Sequence, residues 1–174
     1  MPQNSEELFD VVDEGDRVVR QATRREVHAR GWRHRAVHVL VFNRAGEVFL
    51  QKRSLRKDLA PGLWDSSCSG HLDAGEGYDA AAWRELREEL GLQLPHPPAR
   101  WFRVEAGAAT ANEFVWVYRT AAEGPFTLDP EEIERGEWRM PAEVSRRMET
   151  KPADYSPAFK FIWMRVCAEL ANGA

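Results

Sequence analysis

From Gly70 to Gly77 the chain reads Gly-His-Leu-Asp-Ala-Gly-Glu-Gly, and from Arg84 to Leu92 it reads Arg-Glu-Leu-Arg-Glu-Glu-Leu-Gly-Leu. No other stretch limits the fold as strongly as this glycine-rich loop feeding a helix. Asp79 suits the cap or first turn of that helix, and Gly91 is a natural stop. Trp83, Leu86 and Leu90 recur at three- and four-residue spacing and predict one apolar stripe. On the same helix Glu85, Glu88 and Glu89 point within about 100° of one another. Three carboxylates therefore share a face beside the stripe, not opposite it.

Such a cluster repels itself unless a cation neutralises it. Oxygen-only donors suit a hard divalent ion, Mg²⁺ or Mn²⁺, which can activate a water and offset charge on a diphosphate. Arg84 stands beside Glu85 and four residues before Glu88, where its guanidinium can hold a carboxylate by a bidentate pair. The glycine loop permits close backbone approach and can offer a carbonyl. An isolated glutamate-rich turn reads more simply as a solvated face with intrahelical ion pairs. What separates the two readings is the whole spacing.

Composition adds limits. The 174 residues and 43% hydrophobic content fit a single globular domain with a sizeable core, to which seven Trp and eight Phe contribute. A net charge of −4 excludes a basic binder of nucleic-acid polymers. Two distant cysteines, Cys68 and Cys167, make no disulfide framework and read as inert packing residues. The start, Met1 to Glu7, lacks a basic segment followed by an apolar run, and no stretch reaches the length of a membrane span. A reducing, cytoplasmic setting is the expectation.

Along the chain, Leu8–Val12 and Arg17–Arg20 read as a hairpin about the turn Asp13-Glu14-Gly15-Asp16. Residues 1–30 are expected to form an N-terminal extension carrying this hairpin, and residues 31–174 the main domain. Ala36–Phe42 reads as a buried strand, Asn43–Gly46 as a turn and Glu47–Arg53 as the returning strand. Leu59–Ser69 is expected to be a loop entering a short strand. Trp101–Glu105, Asn112–Arg119 and Glu137–Met140 read as further strands. A short helix opens at Pro141, and Phe159, Ile162, Trp163, Val166 and Leu170 mark one face of a last helix. Strands mixed with a few helices, without regular alternation, indicate an α+β domain.

Gly70, five residues, Glu76, seven residues, then Arg-Glu-Leu-x-Glu-Glu-x-Gly-Leu resembles the Nudix box at every fixed position. The strand pair before it, Pro61-Gly62-Leu63-Trp64-Asp65, and Gly136-Glu137-Trp138 extend the likeness over most of a Nudix domain. The resemblance implies an α/β/α sandwich around a mixed sheet, and Mg²⁺- or Mn²⁺-dependent hydrolysis of a diphosphate linkage in a small molecule, with a nucleotide as the favoured substrate. It implies Glu85, Glu88 and Glu89 as metal ligands with the Gly70 carbonyl, Arg84 as the residue orienting the glutamates, and Glu76 as its partner. Glu89 and Glu113 are both candidates for the general base, and Glu113 reads equally well as an ordinary strand acid.

The flanks resemble the isopentenyl-diphosphate isomerase branch more closely, through His28, His34, the Pro-Gly-Leu-Trp-Asp run and Ser69-Gly70-His71. That branch places a cysteine where this chain has Ser69, and glutamates at both ends of the triplet that here reads Ala111-Asn112-Glu113. Cys68 falls one residue early, on the opposite face of a strand. Hydrolysis is therefore favoured over isomerisation, with a non-catalytic nucleotide-sensing module as a further alternative. His28, His34 and His71 offer a second set of metal donors, against the plainer reading as ordinary polar residues. In the stretch Gln51, Lys52, Arg53, Arg56, Lys57, Arg53 and Lys52 are the expected phosphate contacts. Trp64, Trp101, Phe102 and Trp116 read as core before they read as base-stacking residues.

Overall fold

The computed structural model describes residues 5–172, so the first four residues of the chain and the last two lie outside the described residues. The long strand β3 (His34–Phe42) organises the rest. Its apolar run splits by alternation: Val37, Val39 and Val41 face one side, Ala36 and Leu40 the other. Both faces are covered, which explains why the run is nearly continuous. On one face lies α2 (Tyr78–Leu90), on the other α4 (Pro157–Asn172), with α3 (Pro141–Thr150) contributing Val144 to the second core. This is the expected α/β/α sandwich.

The sheet is mixed. β3 runs parallel to β8 (Glu113–Ala121) from His34↔Glu113 to Phe42↔Ala121, and β7 (Ala99–Val104) pairs antiparallel outside β8. On its other edge β3 meets β4 (Val48–Arg53) only at Phe42↔Val48. The two then diverge. β6 (Cys68–His71) takes the edge of β3 from Ala36 to Val39, while β5 (Trp64–Asp65) and β9 (Ile133–Arg139) pair with β4. A forked sheet results, and the fork is where the site lies.

The helix α2 departs from expectation on one point. Its buried stripe is Ala82, Leu86 and Leu90, while Trp83 is 40% exposed and donates its indole N–H to the Leu94 carbonyl. Burying Leu86 and Leu90 contributes about 1.5–3 kcal/mol each. Gly91 ends the helix at φ 64°, where its N–H reaches the Arg87 and Leu86 carbonyls.

The N-terminal hairpin is present as β1 (Leu8–Val12) and β2 (Val18–Thr23). It is more than an appendage. Asp16, at φ 62° in the turn, accepts from Arg35 Nε at 2.6 Å and from the Tyr78 hydroxyl at 2.9 Å. After β2 comes a helix, α1 (Arg24–Arg30), where the sequence predicts no element. Thr23 and Glu26 form a capping box, and Gly31 stops the helix at φ 61°.

Candidate active site

A cavity of about 480 Å³ opens in the fork and is lined from β3, β4, β5, β6 and α2, with Phe9 added from β1 and Arg24 from α1. Arg84 is its hub. Its Nε and Nη2 take both oxygens of Glu76 at 2.9 and 2.8 Å, a bidentate pair. Its Nη1 donates to Glu85 Oε1 at 2.8 Å and Glu88 Oε2 at 3.1 Å, and Nη2 also reaches the His71 carbonyl at 3.0 Å. One planar guanidinium thus fixes three carboxylates and ties the helix to the glycine loop.

Glu85 and Glu89 are buried at 8% and 3% exposure, while Glu88 lies half-exposed at the rim. Burial pushes Glu85 up to about 7 against the pull of Arg84, and burial together with the charge of Glu85 pushes Glu89 up to about 8. Glu89 Oε2 also accepts from the Ser69 N–H at 3.1 Å and the Gln51 amide at 3.3 Å. Gly70 is needed for close approach: a Cβ there would collide with the Glu85 carboxylate. Buried, closely spaced acids cradled against a bare backbone fit a hard cation, the donor set that the sequence implies.

A second cluster adjoins the cavity through His71 and Glu113, which line it. His28 comes from α1, His34 from β3, His71 from β6 and Glu113 from β8. Donor atoms of the three histidines lie within 4.8 Å of one another. His71 Nε2 donates to Glu113 Oε1 at 3.0 Å, and His34 Nε2 stands 3.5 Å from the same oxygen. The buried Nε2 atoms of His28 and His34 have no hydrogen-bond partner among the described residues. Arg24 Nη1 lies 3.0 Å from His71 Nδ1. Since guanidinium only donates, Nδ1 must accept, which puts the His71 proton on Nε2. Burial lowers His28 to about 4 and His71 to about 3, so both are neutral at pH 7. Burial alone would raise Glu113, but the imidazoles of His34 and His71 hold it well below the ordinary carboxylate range.

The expected phosphate contacts separate. Arg53 lines the cavity, near Asp65 Oδ2 and Ser69 Oγ at 3.5 Å each. Lys52, on the opposite face of β4, instead lies 3.6 Å from Glu134 and does not line the cavity. Lys57 does line it. Trp64 and Phe102 belong to the α4-side core with Trp101 packed against it, and Trp116 packs on the α2-side core; none lines the cavity. Cys68 is buried among the α2-side core residues, whereas Ser69 faces the cavity. Phe9, Arg24, Asp129 and Glu132 line the site without having been singled out from the sequence. The Thr23–Glu26 capping box was the available signal for the helix beginning at Arg24.

The model of the NUDIX domain matches residues 32–160. The uncharacterized Nudix hydrolase YfcD of Escherichia coli (strain K12) is 32% identical, over 92% of this chain and 88% of that protein. An isopentenyl-diphosphate Delta-isomerase of Nocardia farcinica is 36% identical over 95% of this chain and 94% of that protein. The crystal structure of DR0079 from Deinococcus radiodurans superposes with a TM-score of 0.70 at 29% identity, covering 83% of this chain and 90% of that one. The family match and the likeness of fold both extend over most of the chain, which belongs to the Nudix family.

Proposed function

We propose that this protein is a Mg²⁺-dependent hydrolase that cleaves a diphosphate linkage in a small molecule, a nucleotide first among the candidates, in a cytoplasmic setting. The observation that carries the reading is the Arg84 hub, which presents Glu85 and Glu88 together while Glu76 fixes the guanidinium from behind. Glu85, Glu88 and Glu89 would hold the cation, with the Gly70 backbone beside them. When bound, the cation activates a water and offsets charge on the diphosphate. Arg84 keeps the carboxylates in one geometry, so no reorganisation is needed as charge develops. Arg53 and Lys57 supply positive charge on the cavity wall. Glu89 is the better placed candidate for proton acceptance, because it sits among the motif carboxylates. Glu113 is committed to the histidines.

The test is release of phosphate or pyrophosphate from nucleoside di- and triphosphates, nucleotide sugars, dinucleotides and isopentenyl diphosphate, with Mg²⁺ and with chelator. Metal-dependent release is expected. No release with any of them would contradict the reading.

A second reading is favoured by the histidine cluster and by the isomerase relative. The Nε2 atoms of His28 and His34 make no hydrogen bond among the described residues, and the three histidines each offer a donor atom within 4.8 Å of the others, with Glu113 beside them. A cation would fit there if His71 gave up the proton that it donates to Glu113. An isomerase would exchange a proton of isopentenyl diphosphate with solvent without phosphate release. Ser69, in place of the cysteine that the branch resemblance implies, argues against it. Proton exchange in deuterated water, followed by NMR, decides between the two.

A further inference from the structure

Lys57 and Glu132 face the cavity from outside the Nudix motif. Lys57 is only 7% exposed. Its ammonium donates to Glu132 Oε2, the one acceptor it has among the described residues. The two residues are locked in register by Ser54. The Lys57 N–H donates to the Ser54 carbonyl at 3.2 Å, and the Ser54 N–H donates to the Glu132 carbonyl at 2.9 Å. Glu132 is further held by its own N–H, which reaches the Asp129 carbonyl at 3.1 Å, while the Asp129 N–H reaches the Glu89 carbonyl at 3.0 Å. The segment from Asp129 to Glu132 is therefore fastened to the end of α2.

The same cavity wall holds the buried carboxylates of the motif, Glu85 and Glu89. One buried cation thus shares a cavity with the carboxylates of Glu85, Glu89 and Glu132 and bonds to the last of them. A buried ammonium deprived of a partner carries a large desolvation cost and takes whichever carboxylate is at hand. If it settled on Glu85 or Glu89, it would compete with a divalent cation for the same oxygens.

We propose that Glu132 is a positioning residue that detains Lys57 and so keeps the ammonium off the carboxylates that receive the metal. The inference rests on the reading that Glu85, Glu88 and Glu89 hold the cation. It gives the acidic segment between β8 and β9 a task that requires no contact between Glu132 and the metal.

The experiment is a Mn²⁺ titration of the full chain followed by electron paramagnetic resonance, without substrate. The binding counted is the part that Glu85→Gln abolishes. Glu132→Gln should bind Mn²⁺ about tenfold more weakly than wild type, the scale expected for a charge brought within ~4–6 Å. Lys57→Met should bind at least as tightly as wild type, and the double variant should return to the Lys57→Met level. That rescue is the readout that a merely structural role for Glu132 would not produce, since a second cavity substitution does not repair a packing defect. Thermal unfolding in chelator confirms that each variant is folded. Should Glu132→Gln not fold, Glu132→Asp draws the carboxylate back from Lys57 and serves the same comparison. Equal binding by wild type and the Glu132 variant, or a double variant as weak as Glu132→Gln, overturns the inference and leaves the metal reading standing. A wild type with no Mn²⁺ signal dependent on Glu85 overturns both.

Discussion

The two clusters of titratable side chains at the cavity are built on opposite plans. In one, Arg84 gathers Glu76, Glu85 and Glu88, all within 13 positions of one another in the chain, on one helix and the loop that feeds it. In the other, His28, His34, His71 and Glu113 come from four separate elements. The first is a group of carboxylates held by one guanidinium. The second is three imidazoles beside one carboxylate. A local motif fixes its geometry through helix periodicity, whereas a dispersed cluster has its geometry fixed by strand pairing, here the parallel register that sets His34 opposite Glu113.

The contrast breaks most sharply if the wrong cluster proves essential. Glu85→Gln or Glu89→Gln should lower hydrolysis by more than about a hundredfold, the upper range for disturbing a metal's surroundings, with the fold retained by circular dichroism. Loss of activity on Glu113→Gln alone, with both motif variants active, would reverse the roles of the two clusters. Arg84→Lys comes next. Lysine cannot reproduce the bidentate pair with Glu76 while also reaching Glu85 and Glu88, so turnover should fall about 10–100-fold, measured as kcat at saturating Mg²⁺.

Gly70→Ala probes the closeness of backbone to carboxylate. The added methyl collides with Glu85, and overpacking of this kind costs about 1–3 kcal/mol, which should appear as a lowered Tm together with weaker Mg²⁺ dependence. At the histidine cluster, Glu113→Gln removes a buried carboxylate from a charged hydrogen bond and should cost about 1–3 kcal/mol of stability by denaturant unfolding.

The smallest effect is in pH, and its sign differs between the clusters. Glu85 and Glu89 have folded-state pKa values raised to about 7 and about 8, so the folded protein holds their protons longer than the unfolded chain does. Their contribution to stability is present below about pH 4.5 and is lost as pH rises through 7 and 8. His28 and His71 are lowered to about 4 and about 3, so their contribution is present above about pH 6.5 and is lost as pH falls toward 4 and 3. The rise in Tm on adding Mg²⁺ should therefore be larger at pH 8.5 than at pH 5.5, because protons compete with the cation at the motif. An equal rise at both would point to binding elsewhere.

How much was legible in the sequence follows the same division. The motif predicted the helix, its stop at Gly91 and the shared face of Glu85 and Glu89, because the spacing itself encodes the geometry. The strand run Ala36–Phe42 was legible because both of its faces are buried. Trp83 was misplaced because the shallow side of the stripe and its exposed edge share one spacing, and Ala82 fills the core position instead. Lys52 and Arg53 are adjacent, and only the register of β4 decides which of them faces the cavity. The cavity wall made by Phe9 and Arg24, and the pairing of Lys57 with Glu132 across 75 positions, depend on tertiary contacts that no local pattern carries.

The most direct measurement is anomalous diffraction from crystals of wild-type protein soaked in Mn²⁺. A peak among Glu85, Glu88 and Glu89, absent in Glu85→Gln crystals, is the expected result. A single peak among His28, His34 and His71, with none at the motif carboxylates, would contradict the assignment of the catalytic cation to α2.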